Sequence, residues 1–265
     1  MEPCCLTVAG SDSGGNAGMQ ADLRAFHCYG LHGCTAVSAV TAQNPDGVSA
    51  VFGVPPDIVA AQLDAVLGMY SIRAAKTGML ADASVIEVVA DRLGGRADIA
   101  KVVDPVMVAT SGARLATSEA VAAMKRLLLP VATVVTPNLP EAEMLCGGAA
   151  PAREMAKRLY GTYGCAALVK GGHGSGADAV DVLCAGGEIF EFSLPRIANP
   201  VSTHGTGCSL AAALAAELAL GHGLPDAVAG AKRYVRAAIE NAYLVGERCG
   251  VLGFADMSWR TEKGA

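Results

Sequence analysis

The sequence predicts a single α/β domain in which a mostly parallel central sheet is flanked by helices on both faces. Its 265 residues are 52% hydrophobic and only 17% charged, a composition typical of proteins whose central strands are buried on both sides. The length is sufficient for one large core and is long for two. Short apolar runs also alternate with amphipathic stretches along the chain, and this order favours parallel strands joined by helices.

Apolar runs that end at turn-forming residues predict the buried strands. In chain order these strands are expected at residues 5–10, 101–105, 132–138 and 166–172. A β-hairpin is predicted over 180–194, where two apolar runs flank the sequence Ala-Gly-Gly-Glu. We expect this hairpin to form an edge of the sheet.

Apolar residues that recur on one helical face predict the helices, and Pro56 and Pro130 mark the start of the first and the end of the second. The helices are expected over 57–70, 117–130, 208–220 and 225–243. No repeat or linker divides the chain. Residues 1–246 are therefore expected to form one domain, followed by a C-terminal tail over 247–265 that has few periodic apolar positions.

Composition also excludes several classes of protein. The formal net charge is −5 and there is no basic run that could follow a phosphate backbone, so we expect no nucleic-acid partner. No stretch reaches the roughly 18 apolar residues of a membrane helix, and the first residues lack the pattern of a secretory signal. The nine cysteines form no C-x-x-C pair, and none of the five histidines stands at metal-ligand spacing from a cysteine. These features predict a cytoplasmic protein that does not bind membranes.

Polar and glycine-rich segments follow the predicted strands, which is where ligands bind in open parallel sheets. The segment 204–208 joins a glycine turn to the start of a helix. Gly205, Thr206 and Gly207 can expose backbone N–H groups to a phosphate or a developing phosphoryl charge. Cys208 stands in the same positive field, which predicts a lowered thiol pKa and a role as proton acceptor. The alternative is a small buried residue that packs the turn.

Three further segments suggest ligand contacts. Asn138 and Glu141 lie three residues apart and could hold a hydrated Mg²⁺, or they could simply cap a helix. Gln43 offers the donor and acceptor edges that suit an amino-substituted heterocycle, although a solvated loop residue is the alternative. The glycine-rich loop within 10–23 could close over a small ligand, but it fits neither the P-loop nor the G-x-G-x-x-G pattern.

Taken together, these segments resemble the hydroxymethylpyrimidine/phosphomethylpyrimidine kinases of thiamine biosynthesis, a family of the ribokinase-like superfamily. Seven motifs run in the family's order, from about residue 6 to about residue 240. They are AGSDSGGNAGMQADL (9–23), TAQNPDGV (41–48), KTGML (76–80), VVDPVMVATSG (102–112), VVTPNLPEAEML (134–145), LVKGGHG (168–174) and HGTGCSLAAALAAELALG (204–221).

The resemblance implies a ribokinase-like fold and a kinase that uses ATP and Mg²⁺. Such an enzyme phosphorylates the hydroxymethyl oxygen of 4-amino-5-hydroxymethyl-2-methylpyrimidine and then converts the monophosphate into the diphosphate. Cys208 stands where related sugar kinases carry a catalytic aspartate, which makes it the expected general base, and the backbone of Gly205, Thr206 and Gly207 is the expected anion hole. A homodimer is also implied.

The same resemblance assigns the remaining site residues. The substrate pocket is expected to contain Gln43, Asp12, Gly18, Met79 and Val106. The residues expected near the nucleotide are Asp104, Asn138, Glu141 and Lys170, of which Asn138 and Glu141 would organise Mg²⁺ through its waters.

Some features leave alternatives open. Asn16 stands where a third glycine is usual, and the C-terminal end lacks the expected proline and histidine. A pyridoxal or pyridoxine kinase and a non-catalytic pyrimidine-binding protein would share the fold. A thiol-nucleophile enzyme that uses Cys208 with His204 is a more distant alternative.

Overall fold

The computed structural model describes residues 3–108, 115–172, 174, 176–247 and 249–253. Nine strands form one sheet in the order β3-β2-β1-β4-β5-β6-β7-β8-β9, and β10 and β11 pair separately. The strands are β1 (Cys4–Asp12), β2 (His32–Asn44), β3 (Gly47–Gly53), β4 (Ile72–Thr77), β5 (Ala100–Val103), β6 (Val134–Val135), β7 (Ala166–Val169), β8 (Asp178–Ala185), β9 (Glu188–Pro195), β10 (Tyr243–Val245) and β11 (Cys249–Val251).

The centre of the large sheet is parallel and its edges are antiparallel. Strands β2, β1, β4, β5, β6 and β7 pair in parallel, whereas β3, β8 and β9 each run antiparallel to a neighbour. The predicted mostly parallel fold is therefore confirmed. The hairpin predicted over 180–194 is β8–β9, which forms one edge of the sheet. Its turn residues Gly186 and Gly187 have φ of 59° and 84°, the left-handed conformation that tight hairpins require.

Helices cover both faces, as predicted. They are α1 (Gly18–Cys28), α2 (Pro56–Met69), α3 (Ala83–Gly94), α4 (Ser118–Ala123), α5 (Leu139–Cys146), α6 (Ala152–Tyr163), α7 (Thr206–Ala219) and α8 (Leu224–Glu240). Helices α1, α7 and α8 pack on one face of the sheet and α2 to α6 on the other. Alternate strand residues supply the two cores: Cys5 and Val102 face the first, and Leu6 and Val103 face the second.

Two predicted elements differ most from the structure in length. The strand expected over 132–138 is reduced to Val134–Val135, because Pro137 has no N–H to donate and Asn138 already caps the next helix. The helix expected over 117–130 is α-helical only as far as Ala123. A π-turn over Met124–Leu128 and a 3₁₀ turn over Leu129–Val131 continue it.

The C-terminal part of the described chain packs on the domain. Strands β10 and β11 pair antiparallel, so the boundary expected between 246 and 247 lies in the turn of this hairpin. The N–H of Gly253 donates to the carbonyl of Ala238 at 3.0 Å, and Gly250 lies so close to Val201 that a Cβ there would be 2.2 Å from the Val201 oxygen. Residues 254–265 of the expected tail lie outside the described residues.

Within the described ranges, no helix combines the length and the apolar character that crossing a bilayer demands.

Candidate active site

A cavity of about 700 Å³ lies at the carboxyl ends of the parallel strands. Every residue that the sequence analysis assigned to the site lines it. These residues are Asp12, Gly18, Gln43, Met79, Asp104, Val106, Asn138, Glu141, Lys170, Gly205, Thr206, Gly207 and Cys208. They follow six different strands or begin α7, which is the arrangement expected for a ligand site in an open parallel sheet.

The glycine turn before α7 has little freedom. Gly205 caps the helix with φ of 84°, and a Cβ there would lie 2.0 Å from the carbonyl oxygen of Asn16. Only glycine fits. Among the described residues, no side chain caps the first turn of α7. The Thr206 N–H, expected in the anion hole, instead donates to the Thr203 carbonyl at 3.4 Å, so the N–H groups of Gly207 and Cys208 are the ones that face the cavity for an anion. Lys170 strengthens the positive field, because its Nζ would lie 3.5 Å from a Cβ at Gly207.

Cys208 is half-buried and lines the cavity. Burial raises the pKa of its thiol above the usual range, and the carboxylates of Asp22 and Asp104 act in the same direction. The Lys76 ammonium and the backbone N–H of Gly18 lower it, but they do not outweigh burial. The sequence-based prediction of a lowered thiol pKa is therefore wrong. The start of α7 lies in a packed layer, where the loss of solvation dominates over the field of the helix.

Asp104 and Lys170 form an ion pair in the cavity wall. Lys170 Nζ donates to Asp104 Oδ1 at 2.8 Å, and Thr136 Oγ1 lies 3.3 Å from the same oxygen. Burial disfavours the Lys170 ammonium, yet the charges of Asp104 and Glu141 raise its pKa above the usual value. Lys170 therefore stays protonated beside the first turn of α7.

Asn138 and Glu141 form a reciprocal cap at the start of α5. Asn138 Oδ1 accepts the Glu141 N–H at 2.9 Å, and Glu141 Oε2 accepts the Asn138 N–H at 2.8 Å. The helix-cap alternative is thus correct for the local structure. Both residues also line the cavity. Burial raises the pKa of Glu141 to about 7, with Lys170 opposing the rise and Asp104 adding to it.

These donors fit a hydrated divalent cation. Glu141 and Asp104 supply carboxylate oxygens and Asn138 an amide oxygen, the ligand types that Mg²⁺ prefers. In the described part of the chain, no group of three or more His, Cys, Asp or Glu residues could hold a metal ion by itself. A cation at this site would therefore take most of its ligands from water and phosphate, as Mg²⁺ commonly does.

Asp12 organises the glycine-rich loop. Its carboxylate accepts the N–H groups of Gly14, Asn16 and Ala17 at 2.8, 2.9 and 2.8 Å. Gly18 begins α1 with φ of 56°, and a Cβ there would lie 2.5 Å from the Gly10 oxygen. The loop is therefore held in one conformation against the end of β1.

Gln43, Met79 and Val106 form another part of the cavity wall. Gln43 lies near the end of β2 rather than in a loop, and its Oε1 is 3.3 Å from Thr41 Oγ1. Met79 is buried and Val106 is half-buried. This wall combines apolar contact with one amide, as a small heterocycle requires.

Two buried ion pairs at the cavity were not assigned from the sequence. Lys76 Nζ donates to Asp22 Oδ2 at 2.9 Å, and both side chains are fully buried. Lys232 Nζ donates to Asp181 Oδ2 at 2.6 Å, while Asp181 Oδ1 accepts the Gly171 N–H at 2.8 Å. A lysine inside an apolar strand was the available signal for Lys76, since buried lysines are rare without a partner.

Arg196 holds the segment that follows β7. Its guanidinium donates to the carbonyl oxygens of Gly171, Gly172 and Gly176 at 2.9, 2.7 and 2.7 Å. His173 of the same segment, and residues 109–112 of another motif, lie outside the described residues.

The fold and the cavity define a ribokinase-like kinase, a phosphotransferase. The structure resembles the ADP complex of Bacillus subtilis pyridoxal kinase with a TM-score of 0.89 and 33% identity, covering 97% of this chain and 99% of that one. The family model for phosphomethylpyrimidine kinase matches residues 12–253. The chain belongs to the phosphomethylpyrimidine kinase family, as its motifs predict.

Two relatives illustrate the similarity. The hydroxymethylpyrimidine/phosphomethylpyrimidine kinase of Rhizobium meliloti is 46% identical over 250 residues, which covers 91% of this chain and 92% of the relative. The thiamine biosynthesis bifunctional protein ThiED of Geobacter sulfurreducens is 47% identical over 245 residues, which covers 91% of this chain. This chain spans only half the length of that bifunctional relative.

Proposed function

We propose that this protein uses ATP to phosphorylate 4-amino-5-hydroxymethyl-2-methylpyrimidine and then its monophosphate, as a step in thiamine biosynthesis. The observation that carries the proposal is that Cys208 at the start of α7, Lys170 and the amide of Gln43 all line one cavity. The Rhizobium meliloti relative, whose name states this kinase activity, is similar over 91% of the chain.

The substrate would lie between the apolar wall and the start of α7. Gln43 presents a donor and an acceptor to the aminopyrimidine, while Met79 and Val106 contact the ring. The hydroxymethyl oxygen then faces Cys208. As this oxygen attacks the terminal phosphorus of ATP, the Cys208 thiolate accepts its proton and the bond to ADP breaks.

Charge stabilisation supplies much of the remaining catalysis. The transferring phosphoryl group carries negative charge on its oxygens, and phosphoryl transfer depends chiefly on positioning and electrostatics. The N–H groups of Gly207 and Cys208 and the Lys170 ammonium face that charge. In the second reaction a phosphate oxygen of the monophosphate replaces the hydroxyl as nucleophile.

Asn138 and Glu141 would hold Mg²⁺ through its waters beside the nucleotide phosphates. When bound, the ion neutralises part of the triphosphate charge. Asp104 keeps Lys170 in place next to it, and Asp12 and Gly18 fix the loop that borders the substrate.

The test is a steady-state assay of ADP release with the pyrimidine alcohol, combined with mass spectrometry of the products. We expect first the monophosphate and then the diphosphate. Cys208→Ala is expected to retain pyrimidine binding, measured by calorimetry, and to lose most turnover. Binding without any turnover by the unaltered protein would instead support a non-catalytic pyrimidine-binding protein.

Pyridoxal is a second candidate substrate, favoured by the similarity to Bacillus subtilis pyridoxal kinase. The two alcohols can be compared by kcat/KM under identical conditions. We expect the pyrimidine to have the larger value, and a larger value for pyridoxal or pyridoxine would reverse the assignment.

We also propose a cytoplasmic homodimer. No disulfide joins any of the nine cysteines, all of which lie in the described ranges, and this suits a reducing compartment. Among the described strands, β3 is at an edge of the sheet, and its Val51 and Phe52 are 50% and 69% exposed. Such an edge is suited to pairing with a second copy. The kinase domain would extend through β11, which packs on it.

A further inference from the structure

A buried ion pair lies in the layer that supports Cys208. Lys76 is in β4 and lines the cavity, and its Nζ donates to Asp22 Oδ2 in α1 at 2.9 Å. Thr7 Oγ1 in β1 donates to the same oxygen at 2.6 Å. A buried ion pair adds little to stability compared with apolar residues of the same size. Its place at the cavity suggests a chemical role.

The surrounding backbone leaves room for the ammonium. A Cβ at Gly78 would lie 2.8 Å from Lys76 Nζ, so glycine at this position permits the observed approach. Helices α1 and α7 pack against each other on the same face of the sheet, and α7 also packs on β4. Lys76 therefore lies in the layer between β4 and the helices that carry Asp22 and Cys208, and it lines the same cavity as Cys208.

The charges that face Cys208 come from each neighbouring element. Asp22 and the Gly18 N–H belong to α1, Lys76 to β4, Asp104 follows β5 and Lys170 follows β7. Lys170 is already paired with Asp104. Asp22 Oδ1, in contrast, has no hydrogen-bond donor among the described residues, so its charge is only partly compensated.

The two members of the pair act on the thiol in opposite directions. Burial disfavours the Lys76 ammonium, but the charges of Asp22, Cys208 and Asp104 together raise the pKa of Lys76 above its usual value, so the ammonium persists at neutral pH. The Lys76 charge lowers the pKa of Cys208, whereas the Asp22 charge raises it.

We propose that Lys76 is a positioning residue whose fixed ammonium stabilises the thiolate of Cys208, and that Asp22 limits this effect. The inference rests on the proposed role of Cys208 as general base. The thiol first releases its proton to solvent. The thiolate then takes the proton of the substrate hydroxyl as the new O–P bond forms and ADP leaves, and the resulting thiol returns that proton to water.

The test measures Cys208 directly and needs no substrate. The rate at which iodoacetamide alkylates Cys208 is followed from pH 6 to pH 10, and the modified peptide is quantified by mass spectrometry. We expect Lys76→Met to shift the midpoint upward by about one pH unit or more, since loss of a nearby opposite charge has this effect. Asp22→Asn should shift it downward. Lys76→Arg should stay near the unaltered protein.

Lys101→Met is the matched control. Lys101 is also buried, but its Nζ donates to the carbonyl oxygens of Arg96 and Ile99, and it does not line the cavity. We expect it to leave the alkylation midpoint unchanged. Circular dichroism of each variant checks that it is folded.

An unchanged midpoint in Lys76→Met, or a shift in the same direction in both Lys76→Met and Asp22→Asn, overturns the proposal. If Lys76→Met does not fold, Asp22→Asn decides alone: a downward shift supports the proposal, and any other result overturns it. The pH profile of kcat/KM separates this inference from the proposed function. If alkylation shifts as expected while the kinetic profile does not, Lys76 acts on the thiol but Cys208 is not the base.

Discussion

Replacing Cys208 by aspartate should change how catalysis depends on pH. A thiol with its ordinary pKa of about 8.5 is about 3% ionised at pH 7. Burial raises the pKa of Cys208, so the thiolate fraction is smaller still, and kcat/KM of the unaltered protein should rise roughly tenfold per pH unit between pH 6.5 and 8.5. A carboxyl group starts about 4.6 units lower. Cys208→Asp should therefore give a nearly flat profile over that interval.

The assay is steady-state ADP release at low concentrations of the pyrimidine alcohol, with saturating ATP and Mg²⁺. Cys208→Ala is the matched variant without a base, and it should lose about 10² to 10⁴ in kcat/KM. Binding of the pyrimidine, measured by calorimetry, should change little in both variants. A flat profile in the unaltered protein, or activity of Cys208→Ala within tenfold of it, would refute the assignment of Cys208 as base.

Three further changes test other parts of the site and the surface. Gly205→Ala places a Cβ 2.0 Å from the Asn16 oxygen at a φ of 84°. The variant should therefore have a Tm lower by about 4 °C or more and a reduced kcat/KM. An unchanged Tm in calorimetry and an unchanged kcat/KM would contradict the described contact. The folded-state pKa of Glu141, raised to about 7, means that its favourable contribution to stability is lost as pH rises through 7. Glu141→Gln should therefore have a higher Tm than the unaltered protein at pH 8 but not at pH 5. The variant should also need more Mg²⁺ for half-maximal rate. An unaltered Mg²⁺ requirement would mean that Glu141 only caps α5. If the proposed dimer forms through β3, Phe52→Lys should give an active monomer in light scattering, and a persistent dimer would place the interface elsewhere.

The sequence predicted the architecture because its strongest signals were long and regular. Strands β1, β5 and β7 are apolar runs that end at polar turns, and the β8–β9 hairpin is marked by two consecutive glycines. The site residues follow those strands in recognisable motifs. Because the carboxyl ends of these strands lie at one edge of the sheet, the assigned residues line one cavity even though they come from separate segments of the sequence.

The missed elements have weaker or competing patterns. Strand β2 alternates small and polar residues, and β3 has exposed apolar residues at an edge, so neither resembles a buried strand. Strand β4 contains Arg73 and Lys76, which interrupt an otherwise apolar run. Helix α6 begins after Pro151 with no side-chain cap, and this removes a usual start signal.

Electrostatics was the least predictable part of the site. The helix start at Cys208 favoured a lowered thiol pKa, but the sequence does not reveal how deeply that turn packs. The Lys76–Asp22 pair could not be predicted either, because residues 22 and 76 come together only when α1 packs on the folded sheet. For Asn138 and Glu141, by contrast, the helix cap was one of the two alternatives that their spacing indicated, and the structure has it.

The close approach of Gly205 to Asn16 joins the glycine-rich loop near the N-terminus to the turn before α7, at the edge of the cavity. A nascent or truncated chain that lacks α7 has no partial version of this junction. Recovery of activity after denaturation should consequently lag behind recovery of helical signal, and two separately expressed halves should be inactive until they associate.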